Sequence, residues 1–234
     1  MTLPDRLIRH AEIDSTNSEA RRLAEAGERG PVWIMADRQT AGRGRRGRAW
    51  ETAAGNLAAT LLLTSPPPDF AQLSFAAALA VADTAAHFAP TAPITVKWPN
   101  DVLAGGRKLA GILLESGPGW LAVGIGINLA HFPTGTEFPA TALAEFVTPP
   151  SPQDARAVLA ARFAHWYGAW MTEGFETLRA AWLARADGLG APIRARLASH
   201  ETRHGVFEGI DGSGALLLNE QGRVTAIAAG EVFF

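Results

Sequence analysis

The stretch Lys108-Leu109-Ala110-Gly111-Ile112-Leu113-Leu114-Glu115-Ser116-Gly117-Pro118-Gly119-Trp120-Leu121-Ala122-Val123-Gly124-Ile125-Gly126-Ile127-Asn128 decides the architecture. Two apolar runs of strand length, Lys108 to Leu114 and Trp120 to Leu129, flank Gly117-Pro118-Gly119, a turn signal of hairpin length, so antiparallel pairing is expected. Alternation along the first run puts Lys108, Ala110, Ile112 and Leu114 on one face and Leu109, Gly111 and Leu113 on the other, with the Lys108 ammonium at a cleft rim. In the second run Gly124 and Gly126 leave one face nearly bare. Either a flat ring lies on the sheet there, or a helix packs close against it.

Upstream, Ser18 to Ala26 reads as a short helix capped by Asn17 or Ser18 and ended by Gly27. Val32 to Ala36 and Leu57 to Leu63 read as buried strands, and Phe70 to Phe88 as a long apolar helix after the breaker Pro66-Pro67-Pro68. A strand resumes at Ile94, and Trp98-Pro99 predicts an extended backbone that brings Asn100 and Asp101 out at a strand end, facing a cleft. Asp154 to Met171 and Phe175 to Arg185 carry helical patterns, with Phe163, Trp166, Trp170 and Trp182 to pack the core. From about Gly188 only short strand-like runs remain, Ile193 to Leu197, Val206 to Ile210, Leu216 to Leu218 and Val224 to Ala228, cut by glycine turns. The expectation is an α+β fold: a mixed sheet flanked by helices over 1–188, then a small β-barrel over 189–234.

At 234 residues, 47% apolar, 19% charged and with a net charge of −2, the composition is that of an ordinary globular protein, without the basicity of a nucleic-acid binder. The absence of cysteine removes disulfides, thiolate metal sites and a cysteine nucleophile, and fits a reducing cytoplasm. No segment reads as a signal core or a membrane span. Positive charge is written almost entirely as arginine, nineteen against two lysines, and both lysines, Lys97 and Lys108, fall inside Lys97 to Glu115. Such use suggests that lysine is kept where a compact, mobile ammonium is needed; arginine-rich codon usage is the plainer reading.

Gly42-Arg43-Gly44-Arg45-Arg46-Gly47-Arg48-Ala49-Trp50 sets four guanidinium groups and three glycines between two strands. Glycines let backbone N–H groups approach phosphate oxygens and arginines supply paired donors, which suits a nucleoside triphosphate or pyrophosphate. An RNA-binding segment and a solvated charged loop are the other readings. Mutual repulsion predicts a loop that orders when an anion neutralises it. Neither a Walker A motif nor a dinucleotide fingerprint is present. His200-Glu201-Thr202-Arg203-His204 has the spacing of a zinc-protease helix but sits beside a strand-like run, so a zinc site is not expected.

Taken together, Asp14-Ser15-Thr16-Asn17, Gln39-Thr40-Ala41 leading into the arginine–glycine loop, Lys97-Trp98-Pro99-Asn100-Asp101, Lys108 to Leu113, Gly124-Ile125-Gly126-Ile127-Asn128 and Gly230-Glu231-Val232 closely resemble the biotin protein ligases. The resemblance implies their class II synthetase-like fold with an SH3-like C-terminal barrel. It also implies two half-reactions: biotin and Mg-ATP give biotinyl-5′-AMP and pyrophosphate, and a lysine of a biotin carboxyl carrier domain then takes the biotinyl group. By the same resemblance Arg45, Lys108 and Asp101 are catalytic, Asp101 handling the proton of the incoming amine. Ser15, Thr16, Asn17, Gln39, Gly42, Arg43, Gly111, Gly124 and Gly126 are placed about biotin, and Arg43, Arg45, Arg48, Trp50, Lys108 and Asn128 about ATP. Mg²⁺ is expected on the ATP phosphates and not in a protein cage. Some members carry an N-terminal winged helix-turn-helix, but here the first motif begins by residue 14, so no DNA binding is expected. Many members have Thr-Ser-Leu where this chain has Thr141-Ala142-Leu143. Monomer and homodimer stay open. A lipoate or octanoate ligase is the nearest alternative, and an RNA-binding module the non-enzyme one.

Overall fold

In the computed structural model, residues 6–197, 199 and 201–233 are described. The expected hairpin is present: β6 (Arg107–Gly117) and β7 (Trp120–Ile127) pair antiparallel with Gly117 opposite Trp120. They sit inside a seven-stranded sheet with β1 (Leu7–Ile13), β2 (Val32–Gln39), β3 (Leu57–Thr64), β4 (Ile94–Lys97) and β5 (Asp101–Ala104), in the order β1-β2-β3-β7-β6-β5-β4. The β1–β2 pair is parallel and the other pairs are antiparallel, giving the mixed, largely antiparallel sheet of the expected α+β class.

Period-2 alternation splits the sheet residues between two faces. Trp33, Met35, Ala59, Leu61, Val123 and Ile125 pack with α2 (Leu73–Phe88), α3 (Pro152–Glu173) and α4 (Phe175–Leu183) in the main core. Alanines fill much of α2, so it lies close to the sheet, while Trp33 meets Phe163 edge-on at 6.1 Å and Phe75 meets Trp182 at 5.5 Å. Edge-on aromatic pairs add about 1 kcal/mol each to the burial itself. On the opposite face Val32, Ile34, Leu62 and Ala122 pack against Ala20 of the amphipathic α1 (Thr16–Glu25). Beyond α1 this face is left to the cleft.

The C-terminal residues form a five-stranded antiparallel sheet of β8 (Pro192–Leu197), β9 (Thr202–Ile210), β10 (Leu216–Glu220), β11 (Arg223–Ile227) and β12 (Gly230–Phe233), in the order β11-β10-β9-β8-β12. It is tied to the cleft side by Trp98 Nε1, which donates to the Gly214 carbonyl at 3.0 Å. A Cβ at Gly214 would come within 2.6 Å of the Phe75 ring, so the turn fits there because it has none.

Three expectations need correction. α1 begins at Thr16 and not Ser18, because the Thr16 N–H is satisfied by Gln39 Oε1 at 2.8 Å, a distant side chain doing what a local cap would do. Lys108 does not share a face with Ala110 and Ile112. The β5–β6 register slips between Val102 and Leu103, Leu109 is the extra residue, and both Leu109 and Ala110 turn into the core while Lys108 turns to the cleft beside Gly111. β1 and β12 were not expected as strands. As read from the sequence, the zinc-type motif is not helical: Thr202, Arg203 and His204 lie in β9, and His200 lies outside the described residues.

Candidate active site

Cross-strand register builds the floor. One continuous row runs Ala36, Ala58, Gly126, Gly111, Asp101 and Lys97 across β2, β3, β7, β6, β5 and β4. The next row on the same face runs Ile34, Thr60, Gly124 and Leu113. Small residues in the middle of a sheet leave depth above them, and a cavity of about 280 Å³ opens there. It is bounded by α1, the arginine–glycine loop, the segment Pro133–Ala140 and β12. A side chain of the protein covers each of the bare glycines. The Asn17 amide covers Gly124, where a Cβ would lie 2.2 Å from Asn17 Oδ1, and the Trp50 indole covers Gly126, where a Cβ would lie 2.3 Å from Trp50 Cε2.

At the α1 end the side chains form a buried polar seat. Ser15, Thr16 and Asn17 are nearly inaccessible, at 3, 4 and 5% exposure. The Thr16 hydroxyl donates to Gln39 Oε1 at 3.1 Å, and Gln39 Nε2 donates to Thr52 Oγ1 at 2.9 Å. Thr60, with no exposed surface, lies 2.8 Å from Thr16 Oγ1 and 2.7 Å from Asn17 Oδ1. Asn17 Nδ2 donates to Glu115 Oε2 at 2.8 Å. Orientation is thus fixed before any ligand arrives, which is the condition for reading a ligand that offers both donors and acceptors.

The other end is cationic. The loop closes on itself through Gly44 N–H to the Arg48 carbonyl at 2.7 Å and Trp50 N–H to the Gly42 carbonyl at 2.9 Å, with Arg46 in the left-handed region at φ 57°. Three of its four charges are met by carboxylates of the chain, which relieves part of the repulsion expected in the loop. Arg43 pairs with Glu115 at 3.0 Å, Arg46 with Glu231 at 3.3 Å, and Arg48 also with Glu231. Arg45 reaches Asn100 Oδ1 at 3.2 Å and the Gly230 carbonyl at 3.4 Å. Burial pushes the Arg45 guanidinium below its ordinary value. Glu231, 6% exposed, is pushed up by burial, but its hydrogen bond to Arg196 and the charges of Arg48 and Arg46 outweigh that and hold it below the usual carboxylate range.

Lys108 Nζ lies 2.7 Å from Asp101 Oδ1, an ion pair whose angles fall short of a hydrogen bond, and 5.7 Å from the Trp50 ring centre. Lys97, 7% exposed, points its ammonium at the Phe138 ring 4.2 Å away, and burial lowers its pKa despite the opposing charge of Asp101. Both lysines of the chain therefore face the one cavity. Asn128 is buried with its amide donating to the Thr141 carbonyl at 3.0 Å.

Of the expected site residues, Ser15, Thr16, Asn17, Gln39, Arg43, Arg45, Arg48, Trp50, Asp101, Lys108, Gly111, Gly124, Gly126 and Asn128 all border the cavity. Gly42 does not. It lies behind the loop, where a Cβ would be 2.4 Å from the Trp50 carbonyl oxygen, so its part is to let the loop fold. Sequence reasoning gave no role to Glu231, Glu115, Thr60 or Phe138. The pairing of Glu231 with loop arginines more than 180 residues away leaves no local pattern. Glu115 had a signal, since it continues the Gly111-Leu113 face of β6.

The model of the Biotin/lipoate A/B protein ligase family matches residues 11–130, and that of the Biotin protein ligase C terminal domain matches residues 188–234. A biotin–[acetyl-CoA-carboxylase] ligase of Paracoccus denitrificans is 48% identical over 96% of this chain and 98% of its own length. One of Mycobacterium tuberculosis is 34% identical over 95% and 86%. The Aquifex aeolicus biotin protein ligase in complex with biotin and ATP superposes with a TM-score of 0.85 at 28% identity, covering 97% of each chain.

Proposed function

The chain belongs to the biotin/lipoate A/B protein ligase family, and we propose that its cavity joins biotin to ATP as biotinyl-5′-AMP and passes the biotinyl group to a lysine of a biotin carboxyl carrier domain. The observation that carries this reading is the adjacency of a preset polar seat and a cationic pocket on one floor of small residues, with Asp101 and Lys108 at its cationic end.

In the first step a biotin carboxylate oxygen attacks the α-phosphorus, the new O–P bond forms and pyrophosphate leaves. Anions are brought together and charge builds on the phosphoryl oxygens, so the reaction needs fixed cations. Arg45, Arg48 and Lys108 supply them. Lys108, tethered to Asp101 by a flexible stem, can follow the phosphoryl oxygen as it moves. Mg²⁺ enters as part of the Mg-ATP substrate. The seat of Ser15, Thr16, Asn17 and Gln39 suits the ureido head group, and Trp50 with Asn128 suits the adenosine side. Gly111, Gly124 and Gly126 give the depth.

In the second step the carrier lysine must lose a proton before its nitrogen attacks the anhydride carbonyl and AMP leaves. Asp101 stands at the cleft rim with a carboxylate able to take that proton. A lipoyl head group has no ureido-like edge of donors and acceptors to offer the polar seat of Thr16, Asn17 and Gln39, so it would displace solvent there without new hydrogen bonds, a desolvation cost that favours biotin. An RNA-binding reading is disfavoured because three of the four loop arginines, Arg43, Arg46 and Arg48, are already paired with Glu115 and Glu231. No helix among the described residues is long and apolar enough to cross a membrane. We place the enzyme in the cytoplasm, where ATP and carboxylases meet. Single-turnover transfer from isolated biotinyl-5′-AMP to a carrier domain tests the reading: biotin on one carrier lysine supports it, and no transfer to a folded carrier counts against it.

A further inference from the structure

Glu115 does not border the cavity, yet it holds both halves of the site. On β6 it follows Gly111 and Leu113 on the cleft face, opposite Ala122, beneath the first turn of α1. Its Oε1 accepts from Arg43 Nε at 3.1 Å, and its Oε2 accepts from Arg43 Nη2 at 3.0 Å and from Asn17 Nδ2 at 2.8 Å. The remaining Arg43 nitrogen, Nη1, donates to Ser18 Oγ at 2.9 Å. All three guanidinium nitrogens therefore point into the protein, which makes Arg43 the anchor of the loop's first limb.

We infer that Glu115 is a positioning residue that couples the polar seat at Asn17 to the arginine–glycine loop at Arg43, so that occupation of either substrate pocket is felt at the other. This rests on the ligase reading given above. A side-on carboxylate–guanidinium pair fixes direction as well as distance, and the third donor, Asn17, shares the same oxygen. Rotating the loop limb pulls the carboxylate, and the carboxylate pulls the amide that lies over Gly124 and bonds Thr60. Reciprocity requires that whatever the loop does to biotin affinity, biotin does to the loop. Substituting glutamine would turn an NH₂ toward one of these donors, whereas aspartate keeps the charge one methylene further back.

A double-mutant cycle tests this. Biotin affinity is measured by calorimetry for the wild type, Asn17→Ala, Arg43→Ala and the double variant, and the four are repeated with Glu115→Gln. The expected result is that the double variant loses about tenfold less than the product of the single losses in the wild-type background, and that the losses multiply to within about twofold once Glu115 is glutamine. Multiplicative losses with Glu115 present would overturn the inference. So would coupling that persists without the carboxylate, which would mean that Ser18 carries it. Glu115→Asp should keep more biotin affinity than Glu115→Gln, and the reverse order also overturns it. Thermal unfolding of the same eight proteins gives the Asn17–Arg43 coupling without ligand. Biotinyl-adenylate formation by the wild type, measured in parallel, separates a failure of the ligase reading from a failure of this one.

Discussion

Gly124→Ala concentrates the account on one methyl group. The backbone at Gly124 is not in the left-handed region, so alanine is conformationally acceptable and the outcome turns on space alone. A Cβ there would lie 2.2 Å from Asn17 Oδ1 and 2.9 Å from Cγ and Nδ2, so the amide must retreat by about 1 Å to reach an ordinary contact. Retreat weakens the bond to Thr60 at 2.7 Å, the bond to Glu115 at 2.8 Å and the long bond to the Leu113 carbonyl at 3.3 Å. With about 1 kcal/mol for each neutral bond and about 2 for the one to a carboxylate, the ceiling is about 4 kcal/mol. Removing a glycine from the unfolded chain returns about 0.5 kcal/mol. Partial retention of the bonds brings the expected loss to about 2 kcal/mol, or about 4–8 °C in Tm for a chain of this size. Because Asn17 is also part of the seat, biotin affinity should fall by about thirtyfold. Differential scanning calorimetry and isothermal titration with biotin measure the two numbers on one preparation. A Gly124→Ala protein that binds biotin within twofold of wild type would refute the reasoning, because the seat would then not depend on Asn17 lying over that glycine.

The companion Gly126→Ala pushes against the Trp50 indole, which belongs to a loop and can swing away; Tm should move by less than about 2 °C while ATP affinity falls about tenfold or more, as read by equilibrium dialysis. Asp101→Asn should slow transfer from preformed adenylate by about 10² to 10⁴, the usual worth of a positioned base, while adenylate still forms; quench-flow on each half-reaction separates the two. Arg45→Gly should let biotinyl-adenylate escape and label bystander lysines, and unchanged adenylate retention in a filter assay would count against its role. Glu231 has a folded-state pKa held below 4.5, so its contribution to stability is complete above that value and is lost as pH falls through the lowered folded value. The stability gap between wild type and Glu231→Gln should therefore shrink as pH is taken below 4.5 in urea titrations, and a gap that widens would reverse the assignment.

How much of this could be read from the chain follows from the range of each interaction. The β6–β7 hairpin was legible because its alternation and glycine turn are local, and α2 and α3 because apolar length and proline breaks are local too. The Lys108 face was misread because a single extra residue, Leu109, inverts the period, and a bulge here is specified by pairing with Val102 and Leu103 and not by its own residue type. β1 was missed because it is a sheet edge with no fully buried residue and with Arg9, His10 and Glu12 among its seven, so its apolar signal is thin. The start of α1 was misplaced because its first-turn N–H finds Gln39, 23 residues on. Within the site the motif residues announced themselves, but the carboxylates that hold the arginines, Glu115 and Glu231, are defined by tertiary approach.

The most direct test is mass-spectrometric detection of acyl-adenylate and pyrophosphate after the purified chain is mixed with Mg-ATP and either biotin or lipoate. The account predicts biotinyl-5′-AMP and pyrophosphate from the biotin mixture and no lipoyl-adenylate from the other. Lipoyl-adenylate in place of the biotin product, or no adenylate from either acid, would contradict it.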